Sequence, residues 1–128
     1  MSRGRNYVFC IHGIPTTKEV VIQLIKLYYP DRHEKIITKI LDNKFYNLVR
    51  IEEYEIFSSD DEFILCLNRT GYGTGHGLKK SGLIESKVPT DVEYDRFTSF
   101  CYKINNKFSN LLNVEKYGLY MIYVEEGD

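Results

Sequence analysis

Glycines at 71, 73, 75 and 77 alternate with Tyr72, Thr74 and His76, and no other part of the chain is built this way. Alternating glycine lets the backbone reach positive φ and approach other groups closely, but it penalises a helix or an ordinary strand interior. The run therefore predicts a loop over residues 69–82, with regular structure on either side. Its polar content makes it the leading candidate for a ligand site: Arg69, Gly71, Gly73, Gly75, His76, Gly77, Lys79, Lys80 and Ser81. The chemistry expected there is anion capture by backbone N–H groups with cationic side chains beside them. Two sharper motifs fail. A P-loop places Lys-Ser/Thr directly after its last glycine, whereas Leu78 and Lys79 follow Gly77. The dinucleotide fingerprint fails because every second residue is glycine through Gly77, and because the run follows the third expected strand and not the first.

The flanking chain supplies one core. Residues 7–12 are apolar, β-branched and aromatic, and read as a first strand ended by Gly13-Ile14-Pro15. Thr16-Thr17-Lys18-Glu19 reads as a capping box, with Val20, Val21, Leu24, Ile25 and Tyr28 at helical spacing behind it. Pro30 ends that helix, and Asp31 offers the cap of a second one carrying Ile36, Ile37, Ile40 and Leu41. Residues 48–57 read as a strand whose alternation slips at Glu52-Glu53, predicting a bulge or break. Residues 58–61 form a turn, and residues 62–68, apolar on both parities, form a central strand. Leu83, Ile84 and Val88 allow a short extra strand. Thr90 and Glu93 make a further capping box for the principal helix, whose stripe runs from Phe97 to about Leu112. Residues 117–124 are a last strand, again apolar on both parities.

The order β-α(α)-β-β-loop-α-β matches a ferredoxin-like α+β fold: a four-stranded antiparallel sheet with helices on one face. A chain of 128 residues suits one domain over 1–128, with 1–6 and 125–128 frayed. No apolar run approaches the length of a membrane span, and the basic N-terminus runs into a segment interrupted by His12 and Pro15, so neither a membrane nor a signal peptide is expected. Cys10, Cys66 and Cys101 are odd in number, widely spaced and set among apolar neighbours, which predicts buried reduced thiols and a cytoplasmic protein. Ile, Lys, Asn and Tyr abound and Ala is absent, a composition that fits a viral accessory or virion component acting in a host cell.

Chemistry is sparsely encoded. Cys10-x-His12 is the one close pair of soft ligands, and a structural zinc site needs a second, so no metal and no cofactor are expected. No local pattern marks a catalytic residue; an enzyme would have to use His76 or Cys10. With 17 basic and 18 acidic residues the chain lacks the charge of a dedicated nucleic-acid binder. Residues 8–15 before a helix resemble the first strand of the RNA recognition motif family, but residues 62–68 lack that family's third-strand pattern, so no family is assigned. The aromatic content is more informative. Eleven tyrosines and seven phenylalanines exceed what one helix-covered face can hide. The open face, with Tyr7, Phe9, Tyr120 and Tyr123, is therefore expected to meet a protein partner, including a second copy of the chain. A non-enzymatic binding or self-assembling module is the first expectation. An anion, nucleotide or nucleic-acid binder using the glycine run is the second.

Overall fold

The computed structural model describes residues 6–42, 45–73, 86–108 and 112–125. The elements run β1 (Asn6–Thr16), α1 (Lys18–Tyr28), α2 (His33–Asp42), β2 (Asn47–Ile51), β3 (Tyr54–Ser59), β4 (Glu62–Gly73), α3 (Asp91–Phe108), a 3-10 turn at Val114–Lys116, and β5 (Gly118–Glu125). The sheet has five strands in the order β2-β3-β4-β1-β5, with antiparallel neighbours throughout.

The fold is therefore α+β, but the expected four-stranded ferredoxin-like sheet is overturned. The reason lies at Glu52-Glu53. These residues form a reversal and not a bulge: Glu52 sits at φ 56° and Ile51 faces Tyr54 across the turn. The slip in alternation marks the point where one strand becomes two. A glutamate in the left-handed region costs energy that glycine would not. Here the Tyr28 hydroxyl donates to the Glu52 carboxylate (2.5 Å) and secures the turn against α1.

A register shift does occur, between His12 and Gly13 of β1, and it inserts Leu67 as an extra residue of β4. His12 faces Asn68, whereas Gly13 faces Cys66. Beyond the insertion the parity of β4 is reversed. That reversal turns Gly71 toward Phe9 and Gly73 toward Tyr7, so β4 continues as a paired strand where a loop was expected. Glycine is tolerated because the sheet needs the space: a Cβ on Gly71 would lie 2.8 Å from the Phe9 ring. At Gly13 the constraint is harder, since a Cβ would lie 2.2 Å from the Leu65 carbonyl oxygen. The ends of the sheet are also longer than expected, with Asn6 paired to Glu125.

Two apolar clusters lie on opposite faces. The larger receives all three helices: Val20, Val21, Leu24 and Ile25 of α1, Ile40 of α2, and Phe97, Phe100, Cys101 and Ile104 of α3, packed on Ile14, Tyr54, Phe63 and Leu65. The smaller contains Phe9, Ile11, Phe57, Ile64, Cys66 and Val124, all fully buried, and no helix residue joins it. Its cover comes from the connection into β2. Tyr46 packs 4.9 Å from the Phe9 ring and stacks on Phe57, and Phe45 packs 5.5 Å from Tyr7.

Local signals set the helix starts unequally. Thr90 and Glu93 form the reciprocal box expected, with Thr90 N–H donating to the Glu93 carboxylate (2.9 Å) and Glu93 N–H donating to the Thr90 hydroxyl (3.1 Å). At α1 the Thr17 hydroxyl accepts from Val20 N–H, which puts Val20 and not Glu19 at the reciprocating position. At α2 the Arg32 carbonyl accepts from Ile36 N–H, so Asp31 lies one residue outside the cap. Helix α3 is described from Asp91 to Phe108; residues 109–111 lie outside the described residues, and the expected end at Leu112 is not helical. Leu112 is instead fixed after the helix by Asn105, whose amide donates to its carbonyl and accepts from its N–H, both at 2.7 Å. Val88, expected in a strand, is exposed and in no element; Leu83 and Ile84 lie outside the described residues.

The two close glycines should separate in a denaturation experiment. Gly13→Ala drives a methyl into main chain and is expected to cost about 3 kcal/mol. Gly71→Ala meets only a ring that can tilt, and should cost about 1 kcal/mol. Urea unfolding midpoints with unchanged slopes check the order; equal losses would mean that β4 does not approach β1 as closely as this register requires.

Candidate protein-binding edge

The expected ligand residues divide between two fates. Arg69, Gly71 and Gly73 belong to β4, while Gly75, His76, Gly77, Lys79, Lys80 and Ser81 lie outside the described residues. Arg69 is engaged within the sheet: its Nε donates to the Glu55 carboxylate of β3 at 3.1 Å. Gly71 and Gly73 serve the packing of Phe9 and Tyr7 against β4.

The four expected interface aromatics also divide. Phe9 is buried and Tyr7 half-buried, and both stand within the smaller cluster. Tyr120 borders the same cluster, and its hydroxyl donates to the Lys116 carbonyl (2.5 Å). The sheet face assigned to a partner is thus closed over its middle by the chain's own Phe45 and Tyr46. Tyr123 has the opposite parity. It projects from the helix-bearing face, where it is 60% exposed.

Tyr123 points to what the sequence did not reveal. Among the described residues strand β5 lies at the edge of the sheet and pairs with β1 alone. Its register against β1 is unbroken from Asn6↔Glu125 to Gly13↔Gly118. Tyr120, Ile122 and Val124 turn to the smaller cluster. Leu119 and Met121, like Tyr123, turn the other way and are 49% and 58% exposed. They stay uncovered because the helices are gathered over the opposite end of the sheet, where Ile14 is the one β1 residue in their cluster. From Gly118 to Val124 no side chain is charged and none is proline. Natural sheets protect edges with lysine, proline, bulges or short strands, and β5 has none of these between its ends. Alternate backbone N–H and C=O groups of β5 therefore face outward along roughly 27 Å, at about 3.4 Å per residue. Lys116 precedes the strand and Glu125 closes it. Beside it Tyr117 packs edge-on to Tyr94 of α3 at 4.8 Å, and burial raises the Tyr117 hydroxyl pKa.

Cys10 and His12 share one side of β1 and both are buried. His12 Nδ1 lies 3.0 Å from Asn68 Oδ1, and the Asn68 amide donates to the Lys87 carbonyl (2.9 Å), so His12 and Asn68 fasten the segment ahead of α3 to the sheet. Burial pushes the Cys10 thiol pKa up, away from the thiolate a nucleophile needs. Among the described residues no group of three His, Cys, Asp or Glu is placed to hold a metal, and no helix is long and apolar enough to cross a membrane. Comparison with family models, curated proteins and solved structures gives no match to this chain.

All three cysteines are free and buried, and desolvation raises Cys66 and Cys101 to about 12. The native state therefore holds these protons after the unfolded chain, with its ordinary thiol value of 9.0, has released them. The resulting stability is complete below pH 9 and is lost as pH climbs from 9 toward 12. Urea midpoints should fall across that window, and less steeply in Cys66→Val and Cys101→Val variants; identical slopes in all three proteins would contradict the assignment.

Proposed function

We propose that this chain is a protein-binding module that assembles with copies of itself through β5. The observation that carries the reading is an unguarded edge: eight paired residues with outward Leu119, Met121 and Tyr123 and no charge before Glu125. An antiparallel second β5 satisfies the outward backbone groups of both strands in a two-fold arrangement, the commonest symmetry of soluble oligomers. It also sets the Lys116 end of each strand beside the Glu125 end of the other, so opposite charges meet at both extremities. The aromatic and methionine side chains along the edge are the types enriched at interface centres. The two sheets then become one continuous sheet, with no change of fold in either copy.

Light scattering tests this on the whole chain. The unmodified protein should show twice the chain mass at concentrations where a Met121→Lys/Tyr123→Lys variant runs as a monomer. Both positions are exposed, so the variant should keep its helical signal and melting behaviour. Paired lysines facing their symmetry mates should weaken association on the order of tenfold or more. A wild-type monomer at the highest soluble concentration overturns self-assembly; a dimer indifferent to the two lysines removes β5 from the interface.

A further inference from the structure

The opposite edge of the sheet carries a different surface. A groove of about 470 Å³ runs between α2 and the outer side of β2. Its apolar floor is made by Ile36 and Ile40 of α2 and by Leu48 and Val49 of β2. Around that floor stand Arg32, Lys35, Lys39 and Arg50. No aspartate or glutamate lines the groove, and none of the four cations pairs with a carboxylate of the described residues. In a chain whose formal net charge is −1, Arg32, Lys35 and Lys39, with no paired carboxylate among the described residues, form a local positive field, while Arg50 stands across the ladder from Glu55.

The backbone adds directed donors. The Tyr29 hydroxyl donates to the Arg50 carbonyl (2.6 Å), which fixes that carbonyl on the outer side of β2. In an antiparallel strand a residue's N–H and C=O point the same way, and alternate residues share a direction. The N–H groups of Arg50 and Leu48 therefore face the groove. Tyr29 also holds Arg32 in place, with the guanidinium 5.3 Å from the ring centroid. Asn47 ties the strand to the helix, its amide donating to the Lys39 carbonyl (3.2 Å), so both walls are connected.

We propose that this groove binds a small amphiphilic anion: a carboxylate or phosphate head held by Arg32, Lys35, Lys39 and the β2 amides, with an aliphatic body on Ile36, Ile40 and Val49. The volume lies in the range of ordinary small-ligand pockets, and an apolar floor with few convergent polar groups is their usual composition. The head supplies the charge that the cations lack, and the body covers apolar surface that would otherwise stay wet. Neither part suffices alone. Free phosphate gains no burial, and an uncharged alcohol leaves the cations as they were. The site is separate from β5, at the far edge of the sheet, and does not depend on self-assembly.

Titration followed by backbone NMR on the whole chain tests the assignment, with octyl phosphate and decanoate, each below its micelle concentration, as probes. Both should shift amides of α2 and β2, and added salt should weaken them by screening. Inorganic phosphate and octanol should each bind at least tenfold more weakly than octyl phosphate. Lys35→Ala/Lys39→Ala, at two exposed positions, should reduce octyl phosphate affinity at least tenfold while the spectrum of the remaining fold is kept. Inorganic phosphate binding as well as octyl phosphate would overturn the role of the floor. Probe binding unaffected by the two substitutions would overturn the role of the cations. Vesicles of an anionic phospholipid form a separate arm: binding to vesicles with no response to either free probe would overturn the groove in favour of a surface contact.

Discussion

The architecture depends on how closely β4 can lie against β1. The two strands share the longest ladder in the sheet, and at Gly13 their main chains leave no room for a side chain. That approach, together with the insertion at Leu67, decides which residues of β4 face which cluster. Before the insertion Phe63 and Leu65 meet the helices and Ile64 and Cys66 meet the smaller cluster. After it the glycines take the side of Phe9 and Tyr7. Without the insertion the register of Gly13↔Cys66 would carry on to set Thr70 against Phe9 and Tyr72 against Tyr7 in place of Gly73, crowding two rings where one fits. The glycine run is thus, at its start, a packing device for β1 aromatics.

Much of the chain's organisation was legible locally. The Thr90–Glu93 box, the apolar stripes of α1 and α3, and the buried thiols follow from residues a few positions apart. What failed were features set by partners distant in sequence. The Glu52-Glu53 reversal was visible as a slip, but a turn without glycine or asparagine is not distinguishable from a bulge until Tyr28 is seen beside Glu52. Continuation of β4 through Gly71 required knowing that Phe9 lies across from it. The aromatic surplus points to surface needing shelter, but not to which residues supply it. Phe45 and Tyr46, which sit in a connection, close the helix-free face.

Strand β5 shows the same limit more sharply. Apolar residues on both parities are the usual mark of a central strand, buried above and below. In β5 the pattern belongs to an edge, with one parity half-buried or buried and the other exposed. Periodicity reports which residues avoid water, not which element does the covering. The helices cannot cover β5 because their apolar stripes are already committed to Ile14, Tyr54, Phe63 and Leu65 toward the other side. The cations of α2 were likewise hidden in plain view. Arg32, Lys35 and Lys39 at spacings of three and four look like an ordinary solvated helix face until β2 brings Arg50 and two amides opposite them.

The two edges of the sheet therefore solve the same problem differently. At β2 the outward backbone is screened by α2, by the Tyr29 hydroxyl and by the Asn47 amide, and the surrounding charge has one sign. Another strand approaching there would meet a helix and its cations, whereas the proposed small anion would meet charge of opposite sign. At β5 nothing of the kind intervenes among the described residues between Lys116 and Glu125, and the charges at the two ends differ in sign. In the proposed assembly such an edge would disfavour a parallel copy, whose like charges would coincide, and favour an antiparallel one. In the proposed assembly, a sheet guarded on one edge and open on the other would pair once and then stop, giving a closed pair and not an open fibre.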